Sequence, residues 1–102
     1  LTSLDVSHNT ALTFLDCNAN QLTSLELPTS TALTTLYCYD NRLPELDVTN
    51  NPELSILICG NQMTSDGLLP QILSLTLHDS KLDWWNSVES ININVITNFI
   101  PD

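Results

Sequence analysis

The most reactive side chains in the sequence are three cysteines, which recur at one fixed interval as Cys17, Cys38 and Cys59. Thiols in such a column have three chemical uses: metal ligation, disulfide pairing, or burial as small hydrophobes. Zinc ligation is disfavoured, because no C-x-x-C pair exists and no histidine shares the spacing. Disulfides meet a geometric objection. If each unit stacks on the last, equivalent Cα atoms lie about 4.8 Å apart with side chains pointing the same way, which holds the Cβ atoms beyond bonding range. An odd number of thiols would also leave one over. The column reads as buried free thiols in a tight interior row, a use that fixes no redox compartment.

The acids offer a second candidate chemistry. Asp5, Glu26 and Asp47 recur at the same interval and would form an outward column of like charges about 5 Å apart. Calcium wants roughly six to eight oxygens in a wrapped geometry, and a flat column supplies few of them. It reads as a solvated face, with a bound cation left open. His8 and His78 lie far apart on turn-like segments, with no Ser or Cys placed nearby as a nucleophile. There is no glycine-rich phosphate loop, no catalytic acid pair at a recognisable spacing and no N-x-S/T sequon. The sequence reads as non-enzymatic, with no cofactor.

The elements that must hold these residues follow from the same period. Residues 1–21, 22–42 and 43–63 align in one register, and each contains two half-units of common grammar: Leu1-x-x-Leu4-x-Val6-x-x-Asn9, then Leu12-x-x-Leu15-x-Cys17-x-x-Asn20. Leu4-x-Val6 and Leu15-x-Cys17 alternate as strands do, so two short strands per unit are expected. Asn9, Asn51, Asn20 and Asn41 suit the corners, since Asn bonds local backbone and tolerates turn geometry; Ser30 is a weaker stand-in. A helical reading fails. The apolar spacing contracts to i+2, the intervening segments are rich in Thr, Ser and Asn, and Pro28, Pro44 and Pro52 interrupt. A period of this length with Leu at set offsets means a stacked solenoid.

The pattern LxxLDVSxNxxLxxLxCxxNxL resembles bacterial leucine-rich repeats of the internalin type, most closely the internalin J-like form with a cysteine ladder. The resemblance covers residues 1–63 and implies a right-handed, β-rich leucine-rich-repeat solenoid with little or no helix in the repeats. Beyond that point the register degrades. Asn61 follows Cys59 by two residues instead of three, so one residue reads as lost, and Met63 takes the next Leu place. Residues 64–102 read as degenerate repeats and a C-terminal end. Within them, 64–74 carries a turn or short helix, and Leu75-x-Leu77-x-x-Ser80-x-Leu82 and Ile93-x-Val95-x-x-Asn98-x-Ile100 are degraded half-repeats. Asp83-Trp84-Trp85-Asn86 breaks the rhythm, and its tryptophans either cap the last coil or offer a stacking platform to a sugar, capping being the better fit.

Charge narrows the partners. Arg42 and Lys81 are the only strongly basic residues against twelve acids, for a formal charge of −10. Phosphate neutralisation needs clustered Lys and Arg, so nucleic acid is excluded, and anionic membranes are disfavoured. A basic partner suits the balance. No apolar run is long enough to span a bilayer. The chain opens on a repeat without an initiating Met, which reads as a fragment lacking its N-terminal cap.

Where Leu15 and Cys17 turn inward, their neighbours turn out. The columns are Phe14-Asp16-Asn18, Thr35-Tyr37-Tyr39 and Ile56-Ile58-Gly60. A contiguous apolar and aromatic patch often marks an interaction site. Cross-strand pairing, or cover by a flanking domain, is the competing explanation, and the ligand surface is the slightly better fit. The expectation is a protein-binding face made of Phe14, Asp16, Asn18, Thr35, Tyr37, Tyr39, Ile56 and Ile58, with a glycan as another conceivable ligand. The resemblance further implies an adhesion module of a secreted or cell-surface bacterial protein. A structural spacer, or the recognition arm of a larger enzyme or intracellular sensor, remain the alternatives.

Overall fold

A computed structural model describes residues 2–92 and 94–102. Leu1, the first apolar position of the first repeat, and Ile93, read as opening a last half-repeat, lie outside them. The chain is β-rich. Short strands recur twice in each repeat through the first half: β1 (Ser3–Asp5), β2 (Phe14–Asp16), β3 (Ser24–Glu26), β4 (Thr35–Tyr37), β5 (Glu45–Asp47) and β6 (Ile56–Ile58). Each centres on a leucine that turns inward between two more exposed neighbours. That alternation is what a half-buried strand requires.

The strands pair in parallel, one repeat with the next. Leu15, Leu36 and Leu57 are partners across β2–β4–β6, and Leu4 pairs with Leu25 across β1–β3, always at the offset of one repeat. Leucines from both rows meet in one core with Cys17, Cys38 and Cys59. The corners are tighter than local turns alone. Ala19, Asp40 and Asn61, spaced by the same offset, all adopt left-handed backbone (φ 57°, 58° and 55°). Beside them the Asn41 side chain donates to the carbonyls of Cys17 (2.9 Å) and Cys38 (3.0 Å) and accepts from the Leu22 N–H (3.1 Å). A buried amide thus satisfies backbone groups of two repeats at once.

This corrects the reading of the third repeat. No residue is lost there, because Gln62 stands in register with Asn20 and Asn41. Its side chain donates to Cys38 O (2.8 Å) and Cys59 O (3.0 Å) and accepts from the Leu43 N–H (2.9 Å). Asn61 is the left-handed corner residue instead.

After β6 the geometry changes. β7 (Gln62–Met63) and β8 (Pro70–Gln71) pair antiparallel, so residues 64–69 form the turn of a hairpin and no helix forms within 64–74. Gly67 takes φ 76° at the tip. This excursion lengthens the spacing between partners: Leu46 on β5 pairs with Leu75 on β9 (Leu73–His78), well past the position one repeat on. A 3₁₀ turn at Asp79–Lys81 then leads into α1 (Leu82–Val88), a second 3₁₀ turn at Glu89–Ile91 and β10 (Val95–Ile100), which pairs parallel with β9. The Asp83–Asn86 segment is therefore helical, with Trp85 buried in the core and Trp84 half-buried, its Nε1 donating to Ser55 O (2.9 Å). The first degraded half-repeat keeps its inward pair, Leu75 and Leu77, with Leu75 the partner of Leu46, but loses the grammar beyond it. Leu82 begins the helix and is exposed, and Asn98 and Ile100 lie exposed within one unbroken strand.

Candidate binding face

The β2–β4–β6 sheet turns one row of leucines inward and two rows outward. Phe14, Thr35 and Ile56 are partners in the first outward row, and Asp16, Tyr37 and Ile58 in the second. Phe14 and Ile56 are 52% and 45% exposed, which is costly for side chains this apolar unless something covers them. Tyr37 stands edge-on to Phe14, the rings 5.4 Å apart and 81° between planes. Such T-shaped pairing holds the aromatic pair rigid and ready for contact.

Beyond the strands, Tyr39, Ile58, Gly60 and Ile91 line an open depression of about 560 Å³ bordered by Asp40 and Asn61. The sequence reading missed Ile91. It comes from the 3₁₀ turn after α1, which carries no trace of the repeat. That turn is fixed by Asn92, which is 4% exposed. Asn92 Oδ1 accepts from the Cys59 N–H (2.7 Å) and its Nδ2 donates to Leu57 O (3.0 Å). The side-chain amide therefore imitates a further strand along the edge of β6 and closes it.

The polar members are less free. Asn18 Oδ1 accepts from the Tyr39 N–H (3.0 Å), and Asp16 Oδ1 accepts from the Asn18 N–H (3.1 Å). Both side chains are tied to backbone, and the face offers a partner mainly the two tyrosines, Phe14 and the isoleucines.

Behind this face runs the thiol row, all three cysteines free and buried. Burial pushes the Cys17 thiol up to about 11, with Asp16 adding to the shift, and pushes Cys59 to about 12. Cys38 is raised well above the ordinary value by burial first, then by its two neighbours in the row. Thiols held protonated in this way are poor nucleophiles.

The acidic column is broken. Asp5 is the partner of Glu26, but Asp47 pairs with Thr76 and not with Glu26. Asp47 Oδ1 instead accepts from the Thr49 N–H (2.9 Å) and hydroxyl (2.6 Å). Among the described residues no group of three or more His, Cys, Asp or Glu is placed to hold a metal ion. His8 is exposed, and His78 is half-buried with Nδ1 3.3 Å from Pro101 O. Among the described residues no helix is long and apolar enough to cross a membrane. Compared with family models, curated proteins and solved structures, the chain matches none.

Proposed function

We propose that the chain is a leucine-rich-repeat solenoid of internalin-like type, acting as a non-catalytic recognition module that binds another protein through the β2–β4–β6 face. The observation that carries this is the contiguity of Phe14, Tyr37, Ile56 and Ile58 on one side of one sheet, with Tyr39 beside Ile58 just past it and Phe14 and Ile56 reaching well into solvent. Rigid aromatic and aliphatic anchors of this kind dominate binding energy at interfaces. The repeat grammar of residues 1–63 supports the solenoid reading, and through it a secreted or cell-surface adhesin as the parent protein. The adhesin assignment rests on resemblance alone, because folds of this class host many functions.

The test is adhesion of the fluorescently labelled chain to a panel of host and bacterial cells, beside a Tyr37→Lys/Ile58→Lys variant. Both residues point out of the sheet, so the variant is expected to keep the parent's circular dichroism and lose its cell binding. Binding by the double variant equal to the parent's, or no binding by the parent to any cell, would leave the repeats as a spacer.

A further inference from the structure

On the opposite side of the molecule the repeat is interrupted. The β1–β3 ladder continues through the Val6 N–H donating to Glu26 O (2.9 Å) and the Thr23 N–H donating to Thr2 O (2.8 Å). The counterparts one repeat later would be the Leu27 N–H with Asp47 O, and residue 44 with Thr23 O. Residue 44 is a proline and has no hydrogen to donate. No ladder joins β3 to β5, and among the described residues the Leu27 N–H, Thr23 O and Asp47 O have no backbone partner. Bonds on either side keep the repeats together, from the Arg42 N–H to Leu22 O (2.8 Å) and from the Ser30 N–H to Asn50 O (3.1 Å). What results is a bounded cleft of about 510 Å³ between β3 and β5.

The cleft is rich in acceptors. Glu26, Glu45 and Asp47 line it, all exposed. Asn51 lines it too, is 1% exposed, and has an Oδ1 with no hydrogen-bond partner among the described residues. The register explains that orphan. Asn41 and Gln62 accept from an N–H 19 residues earlier, but the equivalent Ala32 N–H already donates to Ser30 Oγ (2.9 Å). A buried acceptor left in this state is costly, and no described residue relieves it. The chain's own strong cations are engaged elsewhere: Arg42 Nη1 donates to Ser65 O (2.9 Å), and Lys81 to Leu54 O (3.3 Å).

We propose that the β3–β5 cleft is a second binding site, which receives an arginine side chain of a basic partner protein. A guanidinium carries five donors and no acceptor, so it complements a slot whose unpaired groups are almost all acceptors. A metal ion does not suit it, for want of convergent ligands.

The test is an NMR titration of the chain at about 0.15 M salt with the blocked peptide Ac-Thr-Arg-Thr-Arg-Thr-NH₂, beside the same peptide with neutral citrulline for arginine. The arginine peptide is expected to shift the Leu27 and Asp47 amides and the Asn51 side-chain signals, and the citrulline peptide to shift none. Pro44→Thr keeps the net charge but restores the missing donor and closes the ladder, so it should weaken binding by roughly tenfold or more. Glu45→Gln/Asp47→Asn should do the same, whereas Asp5→Asn, which removes a charge outside the cleft, should not. Equal binding by Pro44→Thr and Glu45→Gln/Asp47→Asn, equal binding of the citrulline peptide, or shifts spread over the whole acidic surface would overturn the proposal.

Discussion

Gln62 shows how much one buried amide holds. It serves the Leu43 N–H and the Cys59 carbonyl, both on buried residues, and shares the Cys38 carbonyl with Asn41. Gln62→Leu should therefore lower unfolding free energy by about 3 kcal/mol, read from urea denaturation. Asn61→Gly, at the left-handed corner, should instead be neutral or slightly stabilising in the same assay. In the sequence, Asn20 and Asn41 point to Asn61, because an asparagine is sought where asparagines recur. The physics asks only for an amide in register, and the longer glutamine supplies one. The thiols make a prediction with a sign. The folded-state values of Cys17 and Cys59, about 11 and about 12, lie above the ordinary value of 9.0, so the unfolded chain releases protons first. Their contribution is complete below about pH 9 and is lost as pH rises through 11 and 12. The urea midpoint should fall across that window, and Cys17→Ala/Cys59→Ala should flatten the fall.

At the scale of elements, β1 to β6 were legible because each alternates about one inward leucine inside a fixed period. The helix α1 was not. It spans seven residues, and Lys81 at its start offers no side-chain cap. A helix that short has no stability of its own and forms because burial of Trp85 holds it. Trp85→Ala should accordingly cost about 3–5 kcal/mol by denaturant unfolding and release Ile91 and Asn92 from the edge of β6. The hairpin has a sharper requirement. Gly67 has φ 76°, and a Cβ there would lie 2.5 Å from Arg42 Nη2, an atom of the guanidinium bonded to Ser65. Gly67→Ala should raise amide hydrogen exchange across Thr64–Leu69 and cost about 1 kcal/mol. In β10 the sequence suggested repeat spacing around Asn98. A plain alternation competes with it, and Val95, Thr97 and Phe99, the half-buried residues, are the ones that follow it.

Among the described residues, one repeat offset generates the outward face, the thiol row and the amide ladder; it fails between β3 and β5, where residue 44 is a proline and the cleft lies, and again past β6, where Leu46 pairs with Leu75. The outward columns were legible from parity alone. The part of the face contributed by Ile91 was not, since it depends on a turn that folds back from about 30 residues beyond β6 and is held by Asn92. The arrangement of charge also acts globally. At −10, added salt should screen self-repulsion and raise the melting temperature, a shift that calorimetry reads directly. The register itself is open to a more direct measurement, NMR couplings across individual hydrogen bonds in the labelled chain. Couplings from the Cys17 N–H to the Tyr37 carbonyl and from the Cys38 N–H to the Ile58 carbonyl are the predicted result. Couplings at any other offset among β1, β2, β3, β4 and β6, or the close Hα–Hα contacts of antiparallel pairing between those strands, would contradict the register and with it both the face and the cleft.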